Sequence, residues 1–109
     1  NVAGILEKDY NEMPNYDDSS FPRDYSFTVS FAPSAFTTPP TVILSIVGLE
    51  VTGTNQDIVF EPLTVSTTSF VLHVQVYPPT ILSKFKVSYL AIDTLGIIIM
   101  HFCNFKMLW

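Results

Sequence analysis

The chain has 109 residues, enough for one domain with one hydrophobic core and too few for two. Charged residues make up only 14%, well below the usual share of about 25%, so the surface must be largely uncharged or covered by partners. The net charge is -5 and the basic residues are only Lys8, Arg23, Lys84, Lys86 and Lys106, so no basic stripe exists to neutralise phosphates, which speaks against nucleic acid as a partner.

Residues 1–24 read as an extended, acidic N-terminal arm with loops. Glu7, Asp9, Glu12, Asp17 and Asp18 stand against Lys8, and neither a period of 2 nor one of 3.6 is sustained. The plain account of such an acid run is a solvated segment. The pattern changes at Tyr25, where Tyr25, Phe27, Val29 and Phe31 alternate with Ser26, Thr28 and Ser30 as in a half-buried strand. The run Thr37-Thr38-Pro39-Pro40 then interrupts the backbone, because proline cannot donate to a ladder and restricts its predecessor.

A continuous apolar run from Thr41 to Leu49 predicts a strand buried on both faces. A turn at Thr52-Gly53-Thr54-Asn55 leads to a strand at Ile58 to Phe60, which Pro62 should end or bulge. After a turn at Ser66 to Ser69, Phe70, Leu72, Val74 and Val76 face one way and His73 and Gln75 the other, until Pro78-Pro79 stops the strand. Phe85, Val87, Tyr89 and Ala91 alternate with Lys84, Lys86 and Ser88 in the last clear strand.

Five strands at roughly even spacing with no amphipathic helix between them predict an all-β fold, a sandwich or barrel; the antiparallel β-sandwich of about six strands is what the family resemblance given below implies. Its domain is expected over residues 25–95, with Phe27, Val29, Phe31, Ile43, Leu72, Val74, Phe85, Val87 and Tyr89 in the core. The apolar tail over 96–109 is shorter than the ~18 to 20 residues that span a bilayer. It should be buried chiefly against another copy of the chain; an interfacial membrane anchor and a strand folded back on its own domain are the rivals.

No motif of catalysis stands out. His73 and His101 have no ligand or triad spacing, the glycines form no phosphate loop, and base, nucleophile and metal cluster are all wanting, so we expect neither enzyme activity nor a cofactor. Asp17 and Asp18 could hold a cation or a sugar hydroxyl, or be simply solvated. No Asn-x-Ser/Thr acceptor occurs; the threonines of Thr37-Thr38-Pro39-Pro40 and Pro78-Pro79-Thr80 could carry O-linked sugar or only shape loops. The lone cysteine, Cys103, cannot form an intrachain disulfide and says nothing of the redox compartment. A start at Asn1 in place of Met fits a mature secreted product, so an extracellular location is the expectation.

Four pieces of the chain, in order, carry a family resemblance. They are Ser30-Phe31-Ala32, then Pro39 to Ile46 with Leu49, then Val65 to Phe70, and finally Lys86 to Ile92. Together they make the stretch from Tyr25 to Ile92 resemble the H-type lectin domain, the group of discoidins and snail agglutinins. The resemblance implies a six-stranded antiparallel sandwich that forms trimers, sometimes paired into hexamers, and binds N-acetylgalactosamine or galactose at protomer boundaries.

It also implies where binding residues should fall. Asp18 is the counterpart of the family's N-terminal-loop Asp. Asp57 stands in place of a central-strand Arg and reverses its charge. Tyr77 and Pro78 stand in place of an aromatic-His pair, Ser83 in place of a Tyr contributed across the boundary, and Tyr89 in place of the final-strand Trp. Scaffold positions are thus kept and recognition positions changed. Tyr77 would stack on a sugar face or cap the core. Two functions follow: a glycan-binding oligomer whose copies multiply weak single-site affinity, or a structural subunit of an extracellular filament or coat that has lost sugar recognition.

Overall fold

A computed structural model describes residues 1–53 and 55–93. The expected apolar tail at 96–109 and its burial lie outside the described residues. Six strands, β1 (Val2–Asp9), β2 (Arg23–Ser30), β3 (Thr41–Thr52), β4 (Ile58–Leu63), β5 (Ser69–Val76) and β6 (Ile81–Ile92), form the fold, with one 3₁₀ turn at Tyr10–Glu12. They make two three-stranded antiparallel sheets, in the orders β1-β6-β3 and β2-β5-β4. The fold is the expected antiparallel sandwich.

The central strands β5 and β6 carry the clearest alternation and supply most of the core. Phe70, Leu72, Val74 and Val76 on β5 face Leu82, Phe85, Val87 and Ala91 on β6, and all are almost fully buried. Aromatic rings tie the sheets together. The Phe85 ring of β6 lies 5.7 Å from Phe27 of β2 and 5.3 Å from Phe60 of β4, while Phe70 of β5 meets Tyr89 of β6 edge-on at 5.3 Å. Such tilted and edge-on pairs add to the area they bury. Eight of the nine residues expected in the core are buried or packed against it, and Phe85 and Val87 are enclosed while Lys84 and Lys86 reach the surface.

Ile43 is the exception, and the strand that carries it is not buried on both faces. Val42 points inward, Ile43 lies outward opposite Leu90, and Ile46, Val47 and Leu49 are exposed. A run with Ser45 as its only interior polar residue carries little information on which face is which, and a shift of one residue exchanges them. A register shift falls between Ile46 and Gly48, and Ile46 and Val47 are exposed there.

The N-terminal residues also differ from the expected arm. Val2–Asp9 pairs with β6 from Val2↔Ala91 to Asp9↔Lys84 and forms an edge strand of the sandwich. Its burial alternates with period 2, but the outward positions include Ala3 and Ile5, so hydrophobicity does not alternate with it. Pro62 ends nothing: β4 continues to Leu63, because β4 is an edge strand and the missing N–H faces no partner strand.

Gly4 stands opposite Tyr89, and a Cβ there would come within 2.5 Å of the tyrosine hydroxyl. Gly4→Ala is expected to cost about 1–3 kcal/mol through overpacking, and most of that loss should vanish in a Tyr89→Leu background. Urea unfolding of the single and double variants measures both; equal losses in the two backgrounds would contradict the pairing of Gly4 with Tyr89.

Candidate functional site

Three loops meet at one end of the β2-β5-β4 sheet. β2 begins at Arg23, β5 ends at Val76 and β4 begins at Ile58, and the ladder pairs Val76 with both of the others. The residues just beyond these positions therefore emerge side by side. They are the segment that leads from the 3₁₀ turn to Phe21 and Pro22, then Tyr77, then Asp57.

Asp57 and Tyr77 are joined directly, since the Tyr77 amide donates to the Asp57 carbonyl at 3.0 Å. The Asp57 side chain is exposed and Tyr77 is half-buried. The intervening loops are held close by Thr80, which is fully buried. Its hydroxyl accepts from the Asp57 amide at 2.8 Å and donates to the Asn55 carbonyl at 3.1 Å. Gly53 makes the approach feasible: its φ of +133° suits glycine, and a Cβ would lie 3.2 Å from the Pro79 carbonyl.

Asp18 sits on the loop before β2 and is exposed. Its Oδ1 accepts from the Ser20 hydroxyl and, at 3.1 Å, from the Ser20 amide. These two bonds, with a smaller contribution from the Arg23 charge, hold its carboxyl below the ordinary value of 3.8. The loop is fastened to the same end of the sandwich by Arg23, whose guanidinium donates to the carbonyls of Tyr16, Phe21 and Thr80. Tyr25 adds a further tie through its hydroxyl, which donates to the Pro14 carbonyl at 2.8 Å.

Ser83 does not join this group within its own chain. It lies on β6, in the other sheet, where its hydroxyl donates to the Glu50 carbonyl at 3.1 Å beside a register shift of β3. Asp18, Asp57 and Tyr77 thus belong to loops tied to one another, and Ser83 stands apart.

The sequence marks Arg23 only as a basic residue and Thr80 only as a loop threonine that could carry O-linked sugar, which the full burial of Thr80 does not allow. Arg23 is the only arginine of the chain and Thr80 follows two prolines, but nothing in their spacing shows that one would be buried against the other. His73 lies on the outer face of β5, with Nδ1 2.9 Å from Glu61 and Nε2 3.4 Å from Asp24. Its two nitrogens serve different carboxylates, so these donors do not converge. Among the described residues no group of three or more His, Cys, Asp or Glu is placed to hold a metal ion, and no helix is long and apolar enough to cross a membrane.

The outer face of the β1-β6-β3 sheet is the other notable surface. Ala3, Ile5, Ile43 and Leu90 with Ser45 and Ser88 line a shallow apolar groove; Ile46, Val47 and Leu49 are also exposed on β3, but Ile46 and Leu49 stand in register with the inward-facing Val87 and Phe85 and do not belong to this groove. Charges gather at its end, where Lys84 pairs with Glu7 at 2.9 Å and Lys86 and Glu50 lie alongside. That pairing lowers the Glu7 pKa and raises that of Lys84.

The family model of the H-type lectin domain matches residues 26–92. This is more than half of the chain, and the chain belongs to the H-type lectin domain family. Membership places it among carbohydrate-binding, non-enzymatic domains. No curated protein matches the chain.

Ser20→Ala removes the hydroxyl that holds Asp18 and is expected to raise the Asp18 pKa towards 3.8. Because the folded value lies below the unfolded one, any contribution of this contact to stability is in place above the unfolded pKa. It is lost as the pH falls through the folded value. Titration of the Asp18 side chain by NMR in both proteins measures the shift; identical curves would show that the Ser20 hydroxyl does not hold the carboxylate.

Proposed function

We propose that the chain is a carbohydrate-binding module of galactose or N-acetylgalactosamine type that works as an extracellular homo-oligomer. The observation that carries this reading is the tying together of the three loops that bear Asp18, Asp57 and Tyr77. An aromatic ring supplies a face for the apolar side of a pyranose, and two carboxylates supply acceptors for its hydroxyls. Ser83, in the other sheet, would come to the site from a neighbouring copy.

The charge of the site selects among saccharides. Both side chains that would grip hydroxyls are acidic, Asp57 stands where the family has a cation, and the net charge is -5. A sialylated or sulfated glycan would meet like charge at close range, so the site suits neutral sugars.

The apolar outer face of β1-β6-β3 suits contact with further copies of the chain. Exposed patches of this kind are unusual on a monomer, and the Glu7, Glu50, Lys84 and Lys86 cluster offers both signs of charge to an equivalent cluster on a neighbour. Association would also raise apparent affinity for clustered glycans through effective concentration. The same face supports the second reading, a structural subunit of an extracellular filament or coat without sugar recognition. The changes at Asp57 and Pro78 favour it too.

Calorimetric titration of the native oligomer with N-acetylgalactosamine, beside a glycan array, separates the readings. Tyr77→Ala is expected to weaken binding about 2- to 12-fold, the value of one stacking contact of ~0.5–1.5 kcal/mol. The array should show terminal galactose-type sugars bound and their sialylated forms not. Absence of binding would favour the structural subunit, and binding that Tyr77→Ala leaves unchanged would remove this loop end as the site.

A further inference from the structure

The geometry points to Arg23 as the positioning residue of this loop end: its buried guanidinium locks the Asp18 loop to Thr80, and through Thr80 to Asp57 and Tyr77. The inference rests on the reading that these loops bind a saccharide.

Arg23 is only 3% exposed. A charge so far removed from water is costly unless it is paired or fully hydrogen-bonded. Among the described residues no carboxylate pairs with it. Its partners are backbone carbonyls instead: Nε donates to Phe21 at 3.2 Å, Nη1 to Tyr16 at 2.6 Å, and Nη2 to Thr80. Two of these carbonyls flank Asp18 in the chain and the third belongs to the loop that follows Tyr77.

A planar fork holds its donors at fixed, separate positions and can reach carbonyls of different loops at once, whereas a lysine gathers its three donors on one nitrogen and an apolar residue of similar volume has none. An apolar side chain would avoid the cost of burying charge, but it would leave three carbonyls without this donor and the two loops without a link. A buried ion that is dear in stability and retained for geometry is the pattern that fits.

Thr80 extends the lock. Its amide donates to the Tyr77 carbonyl at 3.0 Å, the Tyr77 amide donates to the Asp57 carbonyl at 3.0 Å, and the Asp57 amide returns to the Thr80 hydroxyl at 2.8 Å. The circuit is closed, and Arg23 enters it at the Thr80 carbonyl. Moving the Tyr16 to Phe21 segment would therefore shift Asp18 against Tyr77 and Asp57. A site that grips one sugar from several loops tolerates only about 0.5 Å of such play.

The test compares the full chain with Arg23→Met and Thr80→Val. The latter keeps the Thr80 carbonyl for Arg23 but removes the hydroxyl that serves Asp57 and Asn55. Amide hydrogen exchange and calorimetric titration with N-acetylgalactosamine are measured on each. Both variants should keep slow exchange in β5 and β6, lose protection at the Asp57, Tyr77 and Thr80 amides, and bind about tenfold or more weakly, as the loss of one or more buried hydrogen bonds requires.

Unchanged affinity and unchanged loop protection would overturn the proposal. So would loss of protection in the strands in step with the loops, since Arg23 would then serve overall stability alone. If Arg23→Met does not fold, Arg23→Lys, which keeps the charge and loses the fork, decides by the same two criteria. Wild-type protein that takes up no saccharide would overturn the positioning role together with the binding reading. The exchange data would then still show whether the loops are locked.

Discussion

The packing of β5 against β6 is the constraint on which the rest depends. Each is the central strand of its sheet, each is hydrogen-bonded on both edges, and each presents an inward row, unbroken from Phe70 to Val76 and from Phe85 to Ala91, with Leu82 added beyond a register shift at Ser83. Phe85, seated between Phe27 and Phe60, and Phe70, against Tyr89, fix the register in which the two rows meet. The outer strands then take positions set by their pairing with these two. The loops that leave β5 and enter β2 and β4 are brought to one end of the β2-β5-β4 sheet by the same pairing.

At that end the fold departs from apolar packing. The core elsewhere is built from Phe, Val and Leu, whereas here a guanidinium and a threonine hydroxyl are sealed from water, with no buried side-chain polar atom left unpaired among the described residues. A fully satisfied polar network of this kind specifies one arrangement, while a partly satisfied one would be a liability. The same loops carry an exposed aspartate pair and a half-buried tyrosine. Rigid footing under a few exposed polar groups is what a site for a weakly bound, hydroxyl-rich ligand needs. The opposite sheet turns an apolar outer face to its surroundings, so the two sheets present different chemistry: a polar loop end on one and an apolar face on the other.

Much of the fold was legible in the sequence, and the misses have physical causes. β2, β5 and β6 each have one wet face and one dry face, so Phe27, Phe70 and Phe85 could be placed from alternation alone. β3 lacks polar residues over much of its length, and periodicity could not tell Ile43 from Val42. β1 is an edge strand whose outward face carries Ala3 and Ile5 with Glu7, and its acids resemble those of the loop that follows. The site was less legible. Asp18, Asp57 and Tyr77 came from family resemblance and are brought to one end by strand pairing. Arg23 and Thr80 are 57 residues apart, and their contact depends on where β2 begins and β5 ends.

Binding at this polar loop end, away from the apolar sheet face, is tested most directly by NMR titration of isotope-labelled protein with N-acetylgalactosamine, following every backbone amide. Shift changes should concentrate at residues 15–22, 55–57 and 77–80, with those of the outer face of β1, β3 and β6 left in place apart from the vicinity of Ser83. Saturable changes confined to that outer face, or no saturable change at any amide, would contradict the account.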